Sequence, residues 1–406
     1  MDSKHLSFLG YQRPDGAAGI RNHVLMLPAG ADANEIVYRI ASDVNGTRYI
    51  RVGEEYSRPH SERETIGRLL TGLGKNSNVA AVLVVSAHQH ELEYDELRGD
   101  RLAEQIAKTA KPVELINGYS EKGTRNTVAK GFEIARKLVK EASRIRRTPC
   151  DAKQLTIGVK CGMSDPTSGI SGNPSLGAAM DILVDLGGTV IFNESTEWIG
   201  AEEALVQRAV NKQVAQEILN VVDFIDKRAQ SYGEDIRSTN PNPSNKASGI
   251  TTLEEKSLGA IAKGGTRTIM GLVKYAERPP SNGLYLMDGW SPTYSNMLSL
   301  AAAGANLCIF QLGGEAYGPI DPPVNVINAS IVSPNMFTTG NPRTYQKAHS
   351  FIDSNAGADV FDGRITLGEA GKIIFEKIMD IASGEMTKLE TINYVDPVEV
   401  YLPRYI

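Results

Sequence analysis

The stretch QLTIGVKCGMSDPTSGISGNPSLGAAMDILVDLGGTVIFNES, residues 154–195, indicates the fold class through the order of its patterns. An apolar run ends at Cys161, and a second apolar run begins at Gly188. Between them lie a polar loop and a segment with apolar residues at helical spacing, where we expect Asn173 to cap a helix and Pro174 to occupy its first turn. Strand, loop, helix and strand in this order predict α/β layers with parallel strands.

Further apolar runs at residues 79–87, 112–117, 282–288 and 305–312 repeat this alternation with helical segments. We therefore predict an α/β protein in which mainly parallel sheets are flanked by helices, in Rossmann-like layering. The polar segment 142–154 is the expected linker. It separates an N-terminal α/β domain, residues 1–147, from a C-terminal catalytic α/β domain, residues 148–406, which carries the CGMSDPTSG and TTLEEKSLG motifs.

Composition argues against several classes of protein. The net charge of −5 gives no general attraction for nucleic acid or anionic membranes. No apolar run approaches the roughly 20 residues that cross a bilayer. The first residues lack the apolar core of a signal peptide, and three cysteines are too few for a disulfide framework. We expect a cytoplasmic protein without nucleic-acid or membrane partners.

The polar loop after Cys161 lies where open α/β sheets bind ligands, at the carboxyl end of a predicted strand. Its hydroxyl groups, on Ser164, Thr167 and Ser168, are suited to donate to a carboxylate or sulfonate, and Asp165 to orient a hydroxyl or cation. Turn and capping chemistry is the alternative interpretation of the same residues. Cys161 fits either a small buried side chain or a ligand or nucleophile.

Histidines follow another predicted strand in VVSAHQHELE, residues 84–93. On an extended segment His88 and His90 would point the same way, so they are candidates to share a metal or to transfer protons. Solvated or hydrogen-bonded loop histidines are the alternative.

Two lysines occur seven residues apart in TTLEEKSLGAIAKGG, residues 251–265. On a helix beginning near Thr252, Lys256 and Lys263 would share one face and hold a substrate carboxylate or stabilise an enediolate. An ordinary surface helix with a capping Thr and a first-turn Glu is the alternative. Glu194, after a predicted strand, is a candidate base or metal ligand, or else a first-turn helix acid.

Nucleotide-binding signatures are missing from the sequence. Neither a P-loop lysine motif nor a G-x-G-x-x-G turn opens a helix after a predicted strand. The glycines of residues 310–318 are followed by PIDPPV, which cannot begin a standard helix. We therefore predict no dinucleotide site and no nucleotide cofactor.

Four segments together resemble the altronate/galactarate dehydratase family, which also contains the large subunit of sulfolactate sulfo-lyase. The segments are GYQRPDGAAGIRNHVLMLPA (residues 10–29), the stretch from Lys160 to Glu202, GITTLEEKSLGAIAKGG (residues 249–265) and GRITLGEAGKIIFEKIMDIASGEMTKLE (residues 363–390). The resemblance implies a lyase of carbohydrate metabolism that removes water or sulfite from a small hydroxylated acid. It also implies a divalent metal, Fe²⁺ first, with Mn²⁺ or Mg²⁺ as alternatives.

The resemblance also suggests partners and site residues. Because the chain begins directly at the large-domain motif, we expect a separate small subunit, and we expect a homo-oligomer. The catalytic candidates are Lys256, Lys263, His88, His90 and Glu194. The candidate metal ligands are Cys161, His88 and His90. The substrate-binding candidates are Arg21, Asn22, Ser164, Asp165, Thr167, Ser168, Asn173, Thr251 and Thr252.

Departures from the family pattern affect the cysteines. SAHQHE carries no cysteine where relatives have one, and Asn355-Ala356-Gly357 stands in place of Asn-Cys-Gly. Gly162-Met163 replaces the usual Gly-Gly, so Cys161 lacks its usual companions. The leading hypothesis is metal-assisted β-elimination, with loss of water favoured. The alternatives are a sulfite-eliminating large subunit and a non-catalytic relative that binds an acid or regulates.

Overall fold

A computed structural model describes residues 6–289, 293–314, 331–393 and 399–400. The strands are β1 (Ser7–Gln12), β2 (Ala18–Gly19), β3 (His23–Pro28), β4 (Thr47–Tyr49), β5 (Arg51–Val52), β6 (Val79–Ser86), β7 (Val113–Asn117), β8 (Thr148–Asp151), β9 (Thr156–Gly162), β10 (Thr189–Phe192), β11 (Ile269–Val273), β12 (Gly283–Met287), β13 (Leu307–Leu312), β14 (Asn335–Thr339) and β15 (Glu399–Val400). The helices are α1 (Asn34–Asp43), α2 (His60–Lys75), α3 (Gly99–Ala107), α4 (Thr124–Ala142), α5 (Asn173–Asp185), α6 (Glu202–Val206), α7 (Lys212–Ser231), α8 (Ile236–Thr239), α9 (Pro243–Ala247), α10 (Leu253–Ile261), α11 (Thr293–Ala302), α12 (Pro342–Ala348), α13 (Ala356–Phe361), α14 (Leu367–Ala382) and α15 (Lys388–Thr391).

A four-stranded parallel sheet forms in the first part of the chain, in the order β4-β3-β6-β7. All eight residues of β6 are buried, as expected for a strand covered on both faces. Along β3, alternate residues enter different cores: Leu25 packs with α2 and α3, whereas Met26 packs with α1 and α4. Helices therefore cover both faces of this sheet.

The larger sheet has six parallel strands in the order β11-β12-β10-β9-β13-β14. Helices α5 and α14 pack against one face around Ile157, and α11 packs against the other around Phe310. The chain runs outward from β9 to β10 on one side and later returns to place β13 on the other. The carboxyl ends of β9 and β13 thus form a topological switch point, where open parallel sheets bind ligands. The predicted α/β class with parallel sheets between helices is confirmed.

The predicted linker is partly a strand. Residues 148–151 form β8, which pairs antiparallel with β1 in a three-stranded sheet that also contains β2. Residues 7–10 are therefore hydrogen-bonded to the segment that we expected to connect two domains. The division of the chain at residues 147 and 148 stays a prediction. None of the helices in the described ranges is both long and apolar enough to span a bilayer.

Helix α2 packs directly on α11 of the larger sheet's layer. A Cβ at Gly72 would lie 2.4 Å from the carbonyl oxygen of Ala302, so a residue without a side chain allows this close approach. Nearby, the buried amide of Asn76 donates to the carbonyl oxygens of Ala301 (2.7 Å) and Ala305 (3.0 Å). The two sheet layers therefore meet in a packed, hydrogen-bonded junction.

Candidate functional site

The loops after β9, β13 and β14 lie close together at the carboxyl edge of the six-stranded sheet, at the switch point. After β9, Met163 adopts a left-handed backbone conformation (φ 53°), which is costly for a residue with a side chain and typical of functional sites. A single π-helical turn, Ser168–Gly172, then leads into α5. A Cβ at Gly313, after β13, would lie 2.4 Å from Ser168 Oγ, so these two loops are in close contact.

Asp165 joins these loops through its buried carboxylate. Its Oδ1 accepts hydrogen bonds from Thr167 Oγ1 (2.6 Å) and from the backbone N–H of Ser168 (3.1 Å). Its Oδ2 accepts from Asn341 Nδ2 (2.6 Å) and from the N–H of Gly314 (3.2 Å). Both oxygens already have protein donors, so Asp165 positions the loops around the site and its carboxylate is not available as a base or ligand in this arrangement.

A buried ionic cluster lies beneath the loops. Glu194 Oε2 contacts Lys263 Nζ at 2.9 Å and accepts from the backbone N–H of Cys161 at 3.1 Å, and Glu194 Oε1 accepts from Lys160 Nζ. Lys263 also donates to Cys161 Sγ at 3.2 Å, and its side chain is 0% exposed. Glu194 has a left-handed backbone (φ 77°), which makes it a second strained residue at this edge.

Burial and charge shift the pKa values within the cluster. Burial alone would raise the pKa of Glu194, but Lys160 and Lys263 outweigh it and hold the pKa far below its ordinary value of 4.5. Burial alone would lower the pKa of Lys263, but Cys161 and Glu194 raise it. Burial raises the pKa of the Cys161 thiol. At neutral pH Glu194 is therefore a carboxylate and Lys263 an ammonium group, and burial favours the thiol form of Cys161.

A second ion pair connects this cluster to a cavity. Lys256 Nζ lies 3.0 Å from Glu197 Oε1 and donates to Asn240 Oδ1 at 2.6 Å. Glu197 also raises the pKa of Lys263, so the two pairs interact. Lys256 and Lys263 thus contact two glutamates, Glu197 and Glu194, that are three residues apart in one turn. Three lysines, Lys160, Lys256 and Lys263, thus form ion pairs with two glutamates, Glu194 and Glu197.

The cavity has a volume of about 270 Å³ and opens at the carboxyl edge of the sheet. Its walls include five residues that the sequence singled out: Ser164, Asp165, Ser168, Asn173 and Lys256. A cavity of this size suits a small acid, and Lys256 offers it a cation backed by the buried cluster. Lys263 and Glu194 lie behind this wall and do not line it.

The surroundings of Cys161 do not fit a metal ion. The ammonium group of Lys263 donates to Sγ, and metal binding needs the thiolate, whereas burial raises the pKa of the thiol. Within the ranges that the structure describes, no three His, Cys, Asp or Glu side chains come together as a metal site. The predicted ligand set of Cys161, His88 and His90 is therefore not assembled there.

The two histidines are at the edge of the other sheet. The extended segment that we predicted is wrong, because His88 lies at a bend and His90 begins a 3₁₀-helical turn. His88 Nε2 pairs with Asp32 Oδ2 at 2.6 Å, and His90 Nδ1 lies 3.6 Å from Glu93 Oε2. They have separate partners, so this loop gives no shared pair of ring nitrogens for one metal ion.

Four predicted substrate-binding residues have partners within the protein. Arg21 forms a two-pronged ion pair with Glu390 (2.7 and 2.6 Å), and Asn22 bridges Arg13 and the carbonyl oxygen of Ala142. Thr252 caps α10 by accepting from the Glu255 N–H, and Thr251 Oγ1 donates to the Glu255 carboxylate. Thr251 and Thr252 thus have the capping role that was the alternative interpretation. Arg21 and Asn22 form hydrogen bonds to other parts of the protein.

Asn173 does not cap α5 as predicted. The preceding π-helical turn makes Gly172 the N-cap, and Asn173 becomes the first residue of the helix. Its Nδ2 donates to the carbonyl oxygen of Gly259 at 2.9 Å, and its buried Oδ1 has no partner in the structure. The side chain therefore links α5 to α10 at the cavity wall.

Two residues of the site, Lys160 and Asn341, were not predicted from the sequence. Lys160 is a charged residue inside the apolar run TIGVKC, and a buried lysine needs a charged partner, which is a usable signal. Asn341 caps α12 through Oδ1, while its Nδ2 binds Asp165, 176 residues away. The Asn-Pro pair indicates the cap, but no local pattern reveals the contact with Asp165.

Comparison with known proteins identifies the family of this chain. Residues 10–143 match the family described as D-galactarate dehydratase/altronate hydrolase, second domain, and residues 152–401 match that described as D-galactarate/altronate dehydratase, C-terminal. The (2R)-sulfolactate sulfo-lyase subunit beta of Chromohalobacter salexigens is 33% identical over 401 residues, which are 97% of this chain and 97% of that protein.

Two dehydratases are also similar. Altronate dehydratase of Bacillus subtilis is 27% identical over 408 residues, covering 96% of this chain and 76% of the relative. Galactarate dehydratase (L-threo-forming) of Escherichia coli is 32% identical over 280 residues, covering 68% of this chain and 51% of the relative. The chain belongs to the D-galactarate/altronate dehydratase family of lyases.

Proposed function

We propose that this chain catalyses a β-elimination from a small 2-hydroxy acid bound in the cavity beside Lys256. The observation that carries the proposal is the position of this cavity at the switch point of the six-stranded sheet, where Lys256 lines it and the Lys160–Glu194–Lys263 cluster lies behind it. Family membership supports a lyase reaction, and this cavity is the location that we propose for it.

The reaction needs a site that tolerates negative charge. A base removes the proton from C2, next to the carboxylate, and the electron pair left behind forms the C2–C3 double bond as the group on C3 departs with its own pair. The resulting enol takes up a proton at C3 and becomes a 2-oxo acid. Negative charge spreads onto the carboxylate when the C2 proton leaves, so fixed cations at that carboxylate lower the barrier.

The residues of this chain are suited to that task. The Lys256 ammonium binds the substrate carboxylate and its enediolate form, and Ser164 and Ser168 at the wall are placed to donate to hydroxyl or anionic oxygens. Lys263, Lys160 and Glu194 act as positioning residues, because their ion pairs fix the end of β9 and the turn that carries Glu197, the partner of Lys256. Asp165 holds the loops that shape the cavity.

Two leaving groups fit the same chemistry. Loss of hydroxide, protonated as it leaves, would make the chain a sugar-acid dehydratase. Loss of sulfite is favoured by a separate observation, the match to a sulfolactate sulfo-lyase subunit over 97% of both chains. Both eliminations yield a 2-oxo acid, so one assay detects either, and free sulfite distinguishes them.

None of these steps uses the divalent metal that the resemblance implies. A metal bound elsewhere would supply a Lewis acid to the carboxylate. The residues around Cys161 do not fit it, so we assign them no part in metal binding. The "subunit beta" in the relative's name supports a second subunit as partner, and we propose that this chain is likewise the large subunit of a complex.

The test is a panel of sulfolactate, altronate and galactarate, each assayed for 2-oxo acid and sulfite with Fe²⁺, Mn²⁺ or Mg²⁺. The full chain is assayed alone and together with any small subunit that co-purifies with it. We expect turnover of at least one acid, with sulfite released if sulfolactate is the substrate. Absence of 2-oxo acid with every acid and metal, in both preparations, would contradict the proposal.

A further inference from the structure

Cys161 and Lys263 form a contact that the elimination does not use. Lys263 Nζ lies 3.2 Å from Cys161 Sγ, and the two residues are 0% and 3% exposed. Among the described residues Cys161 belongs to no group of three metal-ligating side chains, and it does not line the cavity. A thiol and an amine held this close, without water between them, are positioned to react with each other once an oxidant reaches them.

We propose that Cys161 and Lys263 are a covalent modification site, at which a peroxide joins the thiol sulfur to the lysine nitrogen through one oxygen atom. In the first step hydrogen peroxide converts the thiol to a sulfenic acid and is reduced to water. In the second, the neutral amine of Lys263, the sulfenic acid and a second hydrogen peroxide give the S–O–N bridge and two water molecules. Sulfur and nitrogen are oxidised, and both peroxide molecules are reduced.

Geometry favours a bridge that keeps the oxygen. A direct S–N bond would bring the two atoms within a single bond length, which requires a large movement of side chains in a close-packed interior. An oxygen between them allows a separation of two bonds, which is nearer to the observed 3.2 Å. Packing therefore selects the oxygen-containing product.

Glu194 completes the arrangement. Lys263 must lose a proton before its nitrogen can form a bond, and Glu194 Oε2, at 2.9 Å from Nζ, is the carboxylate in contact with it. The raised pKa of Lys263 opposes this loss, so the reaction is expected to be faster at alkaline pH. The bridge would remove the charge of Lys263 from the cluster and thereby weaken the potential behind the cavity.

The other two cysteines are internal controls. Cys150 and Cys308 are as buried as Cys161, at 2% and 0% exposed. Cys150 Sγ contacts Gln12 Nε2 and the Thr148 carbonyl oxygen, and Cys308 Sγ lies near the Met297 carbonyl oxygen. No lysine contact to the Cys150 sulfur is seen in the described part of the chain. Burial alone therefore does not create the proposed site.

The experiment treats the full chain with hydrogen peroxide at about pH 7 and about pH 9, on either side of the ordinary thiol pKa, and measures intact and peptide masses. We expect a gain of one oxygen and a loss of two hydrogens, located in a cross-link between the peptides of Cys161 and Lys263. The product should form faster at the higher pH and be cleaved by dithiothreitol, which restores the thiol and the amine.

Variants make the result decisive. The cross-link should be absent from Cys161→Ala and Lys263→Arg, the latter keeping a cation in the cluster, and present in Cys150→Ala and Cys308→Ala. Oxidation of Cys161 without a link, a link lacking the oxygen, or an unreacted Cys161 in the folded protein would each overturn the proposal. The readout is mass, so its failure is distinct from failure of the proposed elimination.

Discussion

Oε2 of Glu194 lies 2.9 Å from Nζ of Lys263, inside a cluster that solvent barely reaches. The same carboxylate binds Lys160 and the backbone N–H of Cys161, so one anion holds together the end of β9 and the turn after α10. Two buried cations with a single carboxylate between them are stable only while that carboxylate is charged.

Removing that charge is expected to destabilise the fold. Glu194→Gln leaves two buried ammonium groups facing each other, so we expect the free energy of unfolding to fall by about 3–5 kcal/mol. Urea unfolding at neutral pH measures it. Glu203→Gln, at an exposed site on α6, is the matched control and should change little. A deficit for Glu194→Gln below about 1 kcal/mol, typical of a surface pair, would contradict the account.

The pH dependence follows from the sign of the Glu194 shift. Its pKa is lower in the folded protein than the ordinary 4.5, so its stabilisation is complete above that value and is lost as the pH falls towards the folded pKa. Unfolding of wild type and Glu194→Gln should therefore differ by a constant amount at neutral pH and by progressively less from about pH 5 to about pH 3. A difference independent of pH over this range would mean that the carboxylate is not stabilised by charge.

Asn341→Asp tests the junction of the loops. The variant keeps the oxygen that caps α12 but replaces the Nδ2 donor, 2.6 Å from Asp165 Oδ2, with a second carboxylate oxygen. We expect a loss of about 1.5–3 kcal/mol in unfolding free energy, the contribution of a hydrogen bond to a charged group, with partial recovery in acid. Asn126→Asp, exposed on α4, is the control; equal stability of the two variants would show that Asp165 does not depend on Asn341.

Metal content tests the assignment of Cys161. Because Lys263 occupies the space beside the sulfur, Cys161→Ser should leave the metal content of anaerobically purified protein unchanged. Elemental analysis by mass spectrometry of wild type and variant, prepared side by side, is the measurement. A stoichiometric metal present in wild type and lost in Cys161→Ser would show that the sulfur is a ligand after all.

Patterns of neighbouring residues in the sequence predicted the strands and the polar loop after β9. Apolar runs predicted the parallel strands, and the sequence singled out Ser164, Asp165 and Ser168 in one segment and Lys256 in another, but only the structure places them around one cavity. Lys263 and Glu194 were also singled out, and the structure places them in contact. Their behaviour as a buried cluster required Lys160, whose charge within an apolar strand is the signal that was not used.

The remaining differences have long-range causes. Arg21 lies in a motif of the family, but its partner Glu390 is 369 residues away, so no spacing could identify an internal ion pair. Asn173 has the composition of a cap, yet the π-helical turn before α5 moves the cap to Gly172. His88 and His90 were expected on an extended segment after a strand, whereas the chain bends at His88 and begins a 3₁₀-helical turn at His90.

The rate of 2-oxo acid formation by Lys256→Met tests whether the cavity beside Lys256 is the site of elimination. Lys256 lines the cavity, so its loss should lower kcat/KM at least about 100-fold, the contribution of one charge-stabilising donor to a developing anion. Lys246→Met, exposed on the neighbouring α9, should retain the wild-type rate. A folded Lys256→Met protein that forms 2-oxo acid at the wild-type rate would contradict the assignment of this cavity as the site of elimination.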